Sequence, residues 1–239
     1  MRRLGVNIDH VATVRNVRGA NHPDPASIAK HVMECGAHSI TIHLREDRRH
    51  IRDLDVVKIC KNKKIITNLE ISLNKDILKI ALKNKPNFIC IVPEKRKEIT
   101  TEGGLDLSKN FDKIKKIITK FKKKKIRTSL FIDPNLNDIK ITKKLNADCI
   151  ELHTGKISDL VKGNKDYKHE YKKIKDCCIL AKKLGLEVHA GHGLDYKTTK
   201  ILSKIKDIEE FNIGHFIVGE SIVHGLKKTI KRFKKISKK

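Results

Sequence analysis

Histidines, carboxylates and arginines recur in this sequence at positions that suit proton transfer and anion binding. His43 and Arg45 fall on one face of a predicted strand over residues 39–44, because alternate residues of a strand point to the same side. The opposite face is apolar and includes Ile40 and Ile42. A strand with one apolar face and one reactive face suits the wall of a barrel that encloses a site. The alternative is a half-buried edge strand followed by a solvated charged turn.

Two glutamates are predicted to share that enclosed space with the histidine. Glu70 lies on the predicted strand 65–71, and Glu151 lies on the predicted strand 148–153. Burial raises the pKa of a carboxyl group and a nearby arginine lowers it, so such side chains suit acid/base catalysis. For Glu70, the alternative interpretation is a buried salt bridge that stabilises the barrel.

Glycine-containing turns in the last quarter of the chain favour a phosphate site. His192 lies between two glycines, of which Gly193 is the second, and Gly214 directly precedes His215. Glycine lets backbone N–H groups approach a ligand closely, and the N-terminus of a following helix favours an anion. Ordinary tight turns are the alternative interpretation.

A second anion site is predicted around the basic residues that follow the strand 39–44. Its candidates are Arg45, Arg48, Arg49 and His50, and Arg18 is a further one. The alternative for these cations is a solvated basic surface. Two glycine-containing segments, 100–104 and 155–163, are predicted as surface loops that can close over the site.

Eight strand–helix units are predicted to position these residues. The predicted strands cover residues 4–9, 39–44, 65–71, 87–92, 127–133, 148–153, 186–190 and 211–218. The predicted helices cover residues 25–35, 53–61, 75–84, 107–124, 136–145, 167–184, 196–205 and 221–236. This alternation predicts an α/β protein with one domain over residues 1–239, a parallel (β/α)8 TIM barrel. Polar residues cluster where the strands end, which is where barrel active sites form, so the pattern indicates an enzyme.

A metal site is one alternative use of these residues. His43, His153 and His192 are potential ligands. Asp9 and His10 are adjacent and point to opposite faces if they end a strand, and the chain contains no HxH or HExxH pattern. The six cysteines form no CxxC pair, which indicates buried reduced thiols. We therefore expect no metal.

The net charge of +26 raises the question of nucleic-acid binding. The excess is mostly lysine spread over the predicted helices, without tryptophan and without interleaved aromatic residues. We therefore expect no specific nucleic-acid partner. No stretch approaches the roughly 20 apolar residues of a membrane span, and the N-terminus shows no signal-peptide pattern. We expect a cytoplasmic protein without a membrane partner.

The motifs together resemble, in order and over the whole chain, the pyridoxine 5'-phosphate synthase family of the deoxyxylulose-dependent vitamin B6 pathway. The matching segments are residues 5–10, 15–19, 43–50, 68–70, 92–96, 100–104, 151–155, 190–194 and 212–215. The resemblance implies a condensation of 3-amino-2-oxopropyl phosphate with 1-deoxy-D-xylulose 5-phosphate, which yields pyridoxine 5'-phosphate, inorganic phosphate and water. It also implies a barrel with additional short helices, a homo-octamer, two phosphorylated small-molecule substrates and no metal or organic cofactor.

The resemblance further implies a role for each matching residue. The implied catalytic residues are His43 and Glu70 as proton acceptors, His192 as a proton donor and Glu151 as a transition-state stabiliser. The implied binding residues for the amino-ketone phosphate are Asn7, Arg18, Gly193, Gly214 and His215, and those for the deoxyxylulose phosphate are Asp9, His10, Arg45, His50 and Thr100. The alternatives are a metal-dependent barrel aldolase or isomerase acting on a sugar phosphate, and a non-catalytic Lys-rich barrel that binds nucleic acid.

Overall fold

Eight parallel strands close into a barrel in the order in which they occur in the chain. The structure is a computed structural model that describes residues 2–94 and 103–238. The strands are β1 (Arg3–Asn7), β2 (Ser39–His43), β3 (Thr67–Ile71), β4 (Phe88–Ile91), β5 (Arg127–Ile132), β6 (Cys149–His153), β7 (Glu187–Gly191) and β8 (Ile208–Ile213). Pairing between β1 and β8 closes the ring, so the predicted (β/α)8 barrel is confirmed.

Helices surround this barrel, and the described residues contain eleven of them. They are α1 (Asp9–Arg18), α2 (Pro25–Glu34), α3 (Asp53–Lys61), α4 (Lys75–Asn84), α5 (Phe111–Lys123), α6 (Leu136–Leu145), α7 (Gly155–Lys162), α8 (Lys168–Lys183), α9 (Tyr196–Leu202), α10 (His215–His224) and α11 (Leu226–Ile236). Within residues 2–94 and 103–238, no helix is long and apolar enough to cross a membrane.

Helix α5 shows how the lysine-rich sequence still builds a core. Its buried residues Ile114, Ile117, Ile118 and Phe121 follow helical spacing and face the barrel, while the lysines between them lie on the exposed side. Burying each such apolar side chain contributes roughly 1.5–3 kcal/mol relative to exposure. The lysine excess therefore lies on this helix's outer face and takes no part in the core.

The register of the strands places reactive side chains of neighbouring strands side by side inside the barrel. His43 of β2 lies opposite Glu70 of β3, and Glu151 of β6 lies opposite His189 of β7. Because alternate residues point inward, these four side chains project into the barrel, whereas Ile40 and Ile42 of β2 pack against the helices.

The first strand is shorter than predicted, and a helix begins where we expected it to end. Strand β1 stops at Asn7, and Asp9 is the first residue of α1. The prediction that Asp9 and His10 lie on a strand and face opposite sides was therefore wrong. An acidic residue in the first turn and Arg15 and Arg18 in the last turn suit the helix dipole, and Gly19 ends the helix with φ of 68°.

The last strand was placed a few residues too late in the chain. Strand β8 covers Ile208–Ile213, and the following residues, which we predicted to extend it, form α10 from His215 onward. Gly214 separates the two elements, with φ of −116° and ψ of −87°, and a Cβ there would lie 3.0 Å from the Cβ of Asn7. The β-branched residues of α10 suggested a strand, but this backbone turn starts a helix.

The segment 155–163 was predicted as a surface loop, and this was also wrong. It forms α7, because Ile157 and Val161 are spaced four residues apart and are both buried. The additional short helices implied by the family resemblance are thus present in α1, α7 and α10.

Candidate active site

The side chains predicted to act on protons meet at the C-terminal ends of the strands. His43 ends β2, Glu70 lies next to the end of β3, and Glu151 lies two residues before the end of β6. His192 directly follows β7. This is the face on which TIM-barrel active sites form.

His43 is buried and has a carboxyl group on each side of its ring. Its Nδ1 lies 3.7 Å from Oε2 of Glu70, and its Nε2 lies 3.6 Å from Oε2 of Glu94. The backbone N–H of His43 donates to Oδ1 of Asp9 at 2.9 Å, which ties β2 to the start of α1. A small movement of the ring or of either carboxyl group brings each nitrogen within hydrogen-bond distance.

The carboxyl group of Glu70 is surrounded by protein and by other acidic groups. Burial raises the pKa of Glu70 well above its ordinary value, and the nearby carboxylates of Glu151 and Asp9 raise it further. Glu70 is therefore protonated over a pH range in which an exposed glutamate is ionised. A protonated carboxyl group beside an imidazole can give its proton, and the carboxylate that remains can then take one back.

Glu151 lies on the other side of the barrel interior, where burial also favours the protonated form of the carboxyl group. The Nδ2 group of Asn212 donates to its Oε2 at 2.7 Å, and Gly191 leaves room for its other oxygen, because a Cβ at that position would collide with it. Burial raises the pKa of Glu151 to about 7, although His189 and the hydrogen bond from Asn212 favour the ionised form. The carboxyl group can thus change its charge near neutral pH.

His192 lies in a left-handed backbone conformation, with φ of 79°. Burial and the neighbouring ring of His153 lower its pKa to about 4, and the two ring centroids are 4.9 Å apart. His153 in turn pairs through Nδ1 with Oδ1 of Asp133 at 3.0 Å. At neutral pH the imidazole of His192 is therefore uncharged.

Several residues predicted for the first phosphate lie in the glycine turns and at the starts of α1 and α10. The rings of His10 and His215 pack edge to face with centroids 5.0 Å apart, next to Asn7 and Gly214. Gly193 follows His192 with φ of 74° and lies beside Ser158 of α7. Helix α10 begins at His215, and the amides of a helix's first turn favour an anion.

The side chain of His10, which the family resemblance assigns to the deoxyxylulose phosphate, has an unsatisfied ring nitrogen. Its Nδ1 is buried and has no hydrogen-bond partner in the described part of the chain. Burial lowers the pKa of His10, while Asp9 acts in the opposite direction. A ligand oxygen would supply the missing partner.

The second predicted anion site has a smaller net positive charge than the sequence indicated, because carboxylates lie beside its arginine. Arg45 is 1% exposed, and its Nε lies 3.6 Å from both Oδ1 of Asp47 and Oε1 of Glu94. His50 lies nearby, with Nδ1 accepting the backbone N–H of Ile51 at 2.9 Å, and burial lowers its pKa. The structure thus brings Arg45 and His50 to the barrel mouth, with the carboxylates of Asp47 and Glu94 beside Arg45. Thr100, also predicted for this site, lies outside the described residues.

Two further arginines in the segment after β2 form ion pairs at the protein surface. Arg48 pairs with Asp53 at 2.7 Å, and Arg49 pairs with Asp47 at 2.6 Å. Each ion pair is at least partly exposed and contributes little to stability. These contacts give both residues a local structural role.

Arg18 is not brought to the other predicted site residues by a described contact. It is exposed at the last position of α1, nine residues after Asp9, which is about 13 Å along the helix axis. Its predicted role in phosphate binding stays a prediction.

Three side chains at this site were not predicted as site residues, of which two are buried and Asp133 is 55% exposed. Glu94 flanks His43, Asn212 holds Glu151, and Asp133 holds His153. Each follows or lies on a strand near its C-terminal end, which was the available signal. Each of them contacts a residue on a different strand, and spacing along the chain does not predict which residues come into contact.

The described residues contain one group of three potential metal ligands, at the opposite end of the barrel. The donor atoms of Cys149, Glu187 and His189 lie within 4.8 Å of one another. Arg127 donates to Sγ of Cys149 at 3.2 Å and to Glu187 at 2.9 Å, and Nη2 of Arg3 lies 3.3 Å from Nε2 of His189. Two positively charged guanidinium groups already contact the donor atoms of these three residues. The cluster is therefore better explained as a network of ion pairs and hydrogen bonds than as a cation site.

The fold and this arrangement of acid/base groups define the class of the protein, a (β/α)8-barrel enzyme. Residues 4–239 match the family model described as pyridoxal phosphate biosynthesis protein PdxJ. The chain belongs to this family.

Individual relatives agree with that membership. The chain is 77% identical over 239 residues to the pyridoxine 5'-phosphate synthase of Pelagibacter ubique (strain HTCC1062), and the match covers 100% of each chain. It is 48% identical over 232 residues to the pyridoxine 5'-phosphate synthase of Zymomonas mobilis subsp. mobilis, covering 97% of this chain and 90% of the relative. These relatives favour neither the metal-dependent aldolase nor the nucleic-acid-binding alternative.

More distant solved structures show the fold alone. The tryptophan synthase A-subunit from Pyrococcus furiosus superimposes with a TM-score of 0.61 at 14% identity, covering 98% of this chain and 96% of that chain.

Proposed function

We propose that the protein condenses 3-amino-2-oxopropyl phosphate with 1-deoxy-D-xylulose 5-phosphate to form pyridoxine 5'-phosphate, inorganic phosphate and two water molecules. The family membership and the names of the relatives support this reaction. The observation that carries it is the convergence of two carboxyl groups with raised pKa values and two histidines at one barrel mouth.

The reaction needs several proton transfers at one place. Imine formation, enolisation, dehydration and loss of phosphate each move a proton, so more than one acid/base group is required. His43 accepts protons, and Glu70 accepts one after its own acidic proton has passed to the substrate; their 3.7 Å separation allows a proton to pass between them after a small movement. Glu151 stabilises the charged transition state, because its carboxyl group can change its charge near neutral pH.

His192 donates a proton once substrate is bound. Without ligand, burial and His153 lower its pKa to about 4, which leaves it uncharged. A phosphate dianion next to the ring favours the charged form, because an opposite charge within about 4–6 Å stabilises an ion. Substrate binding therefore charges the donor when it is needed.

Two phosphorylated substrates require two anion sites. In the proposal the amino-ketone phosphate lies against Asn7, Gly193, Gly214 and His215, with Arg18 as a further contact, and the deoxyxylulose phosphate is held by the residues around Arg45. Asp9, His10, His50 and Thr100 complete the second site. The glycine turn and the α10 N-terminus supply neutral donors for the first phosphate, and Arg45 supplies a cation for the second.

The proposal is tested by incubating metal-stripped protein with both phosphorylated substrates and measuring pyridoxine 5'-phosphate. Formation of product is expected, and absence of product from folded protein refutes the proposed reaction. In the same assay Glu70→Gln is expected to lower kcat by about 10²-fold or more while substrate binding survives. A full rate in that variant would remove Glu70 from the mechanism.

We further propose that the enzyme is a cytoplasmic homo-octamer, as the family resemblance implies. Exposed apolar side chains on two neighbouring helices support an assembly, since Val14 and Val17 of α1 and Ile222 and Val223 of α10 are each more than half exposed. Sedimentation velocity is expected to give the mass of eight chains, and a monomeric species at micromolar concentration would refute it.

A further inference from the structure

Glu94 is buried beside His43, and the reaction as proposed so far gives it no role. It follows β4, and its side chain is 3% exposed. Its Oε2 lies 3.6 Å from Nε2 of His43. Both atoms are buried, and within residues 2–94 and 103–238 neither has a hydrogen-bond partner. The two unsatisfied atoms therefore face each other.

The other oxygen of Glu94 is already anchored. Its Oε1 accepts the backbone N–H of Glu46 at 2.9 Å and lies 3.6 Å from Nε of Arg45. Burial alone would raise the pKa of Glu94, but its contacts with His43, the Glu46 amide and Arg45 lower it below its ordinary value. Glu94 is thus an ionised carboxylate whose orientation is fixed by the loop after β2.

The carboxylate on the other side of the ring has the opposite protonation. Glu70 lies 3.7 Å from Nδ1 of His43, and burial raises the pKa of Glu70 so that it stays neutral. The imidazole therefore lies between a charged carboxylate at Nε2 and a neutral carboxyl group at Nδ1. The charged and titratable groups that surround this ring are Glu70 of β3, Glu94 after β4, Asp9 of α1, Arg45 and His50.

We propose that Glu94 is a positioning residue that holds His43 as the tautomer protonated on Nε2, which leaves Nδ1 as the atom that accepts protons during turnover. The inference rests on the proposed function, in which His43 is a proton acceptor. An ionised carboxylate only accepts hydrogen bonds, so a proton on Nε2 satisfies both buried atoms. A proton on Nδ1 would instead turn a lone pair toward a negative charge.

The arrangement also stabilises the charged state of the ring. When Nδ1 takes a proton from a substrate carbon, the ring becomes an imidazolium, and the negative charge of Glu94 faces it. Once the neutral Glu70 has given its own proton to the substrate, the carboxylate that remains can take this proton, since its Oε2 is the nearest described acid group to Nδ1. Glu94 thus acts through His43 and does not touch the substrate.

The tautomer can be measured without substrate, so this test is independent of the proposed reaction. Protein labelled with 15N in histidine is examined by long-range 1H–15N correlation, and the His43 signals are assigned by their loss in His43→Asn. We expect a protonated Nε2 and an unprotonated Nδ1 in the wild-type protein. A protonated Nδ1 in the neutral ring would overturn the proposal, whatever the enzyme's activity.

The kinetic test compares Glu94→Gln with Glu34→Gln, a control on the exposed surface of α2. Glu94→Gln is expected to lower kcat by about 10- to 100-fold with KM changed less than about threefold, since it removes a group that acts on the histidine. Loss of the negative charge makes the imidazolium less favourable, so the acid limb of the kcat profile moves to lower pH by about one unit. The control is expected to leave both quantities unchanged.

Two results in this series would overturn the proposal. One is an unchanged kcat and pH profile in Glu94→Gln. The other is a lower kcat with an unmoved acid limb and an unchanged His43 tautomer, which would indicate a merely structural role. If Glu94→Gln does not fold, the wild-type spectrum alone decides the question.

Discussion

Replacing Glu151 with glutamine is expected to change activity and stability in opposite directions. In the structure this carboxyl group is 2% exposed, accepts a hydrogen bond from Asn212 and lies against Gly191. Glutamine keeps the shape and can accept the same hydrogen bond through its amide oxygen. The substitution therefore removes mainly the ability to become charged, and kcat is expected to fall by about 10- to 100-fold.

The stability effect follows from the raised pKa. Burial raises the pKa of Glu151 from 4.5 to about 7, so the ionised form is less favourable in the folded protein than in the unfolded chain. One pKa unit corresponds to about 1.4 kcal/mol, so the difference corresponds to about 3 kcal/mol of lost stability. This loss is absent below about pH 4.5, grows as the pH rises and is complete above about pH 7.

The assay is urea unfolding of Glu151→Gln and wild type at pH 5 and pH 8, at one protein concentration. At pH 8 the variant is expected to be more stable by about 3 kcal/mol, and at pH 5 by less than about 1 kcal/mol. Glu34→Gln serves as the exposed control, for which no pH-dependent difference is expected. The same difference in the free energy of unfolding at both pH values, or a less stable variant at pH 8, would refute the idea that the fold disfavours the ionised form of Glu151.

Further substitutions test the packing around this carboxyl group and the support beneath His50. Gly191→Ala should lower both kcat and the melting temperature, because the added Cβ collides with Glu151, whereas Gly219→Ala has open space around it inside α10 and should leave kcat unchanged and raise the melting temperature slightly. Arg15→Met leaves the buried carboxylate of Asp55 without its 2.7 Å partner and should cost about 3–5 kcal/mol in urea unfolding. The double variant Arg15→Met/Asp55→Leu should recover most of that loss, and a purely additive result would argue against the buried ion pair.

The barrel was predictable because hydrophobic patterning decides it. Strands such as β2, with Ile40 and Ile42 on one face, can bury that face only against surrounding helices, and eight such units in succession favour closure. The missed helices α1, α7 and α10 lie where the chain turns over the barrel mouth. There short segments are fixed by contacts with the site, as Gly214 is by Asn7, and such contacts are absent from local patterning.

The site was predictable in its composition but not in its pairing. The inward face of β2 identified His43, and the strand register explains why Glu70 lies opposite it. The identity of the group on the other side of the ring depended on how the segment after β4 folds back, which placed Glu94 against Nε2. The low pKa of His192 likewise depends on His153, which comes from another strand.

The two ends of the barrel use the same residue types for different purposes. At the N-terminal end, Glu187 is bonded to His189 and paired with Arg3 and Arg127, and these contacts hold its pKa well below its usual range. At the C-terminal end, no described contact pairs Glu70 or Glu151 with a guanidinium group, and burial raises their pKa values although His189 and Asn212 favour the ionised form of Glu151. The arginines beside Glu187 keep that carboxylate ionised, whereas Glu70 and Glu151 can hold and release a proton. The difference in arginine partners, rather than in residue type, therefore separates a structural glutamate from glutamates that suit acid/base chemistry.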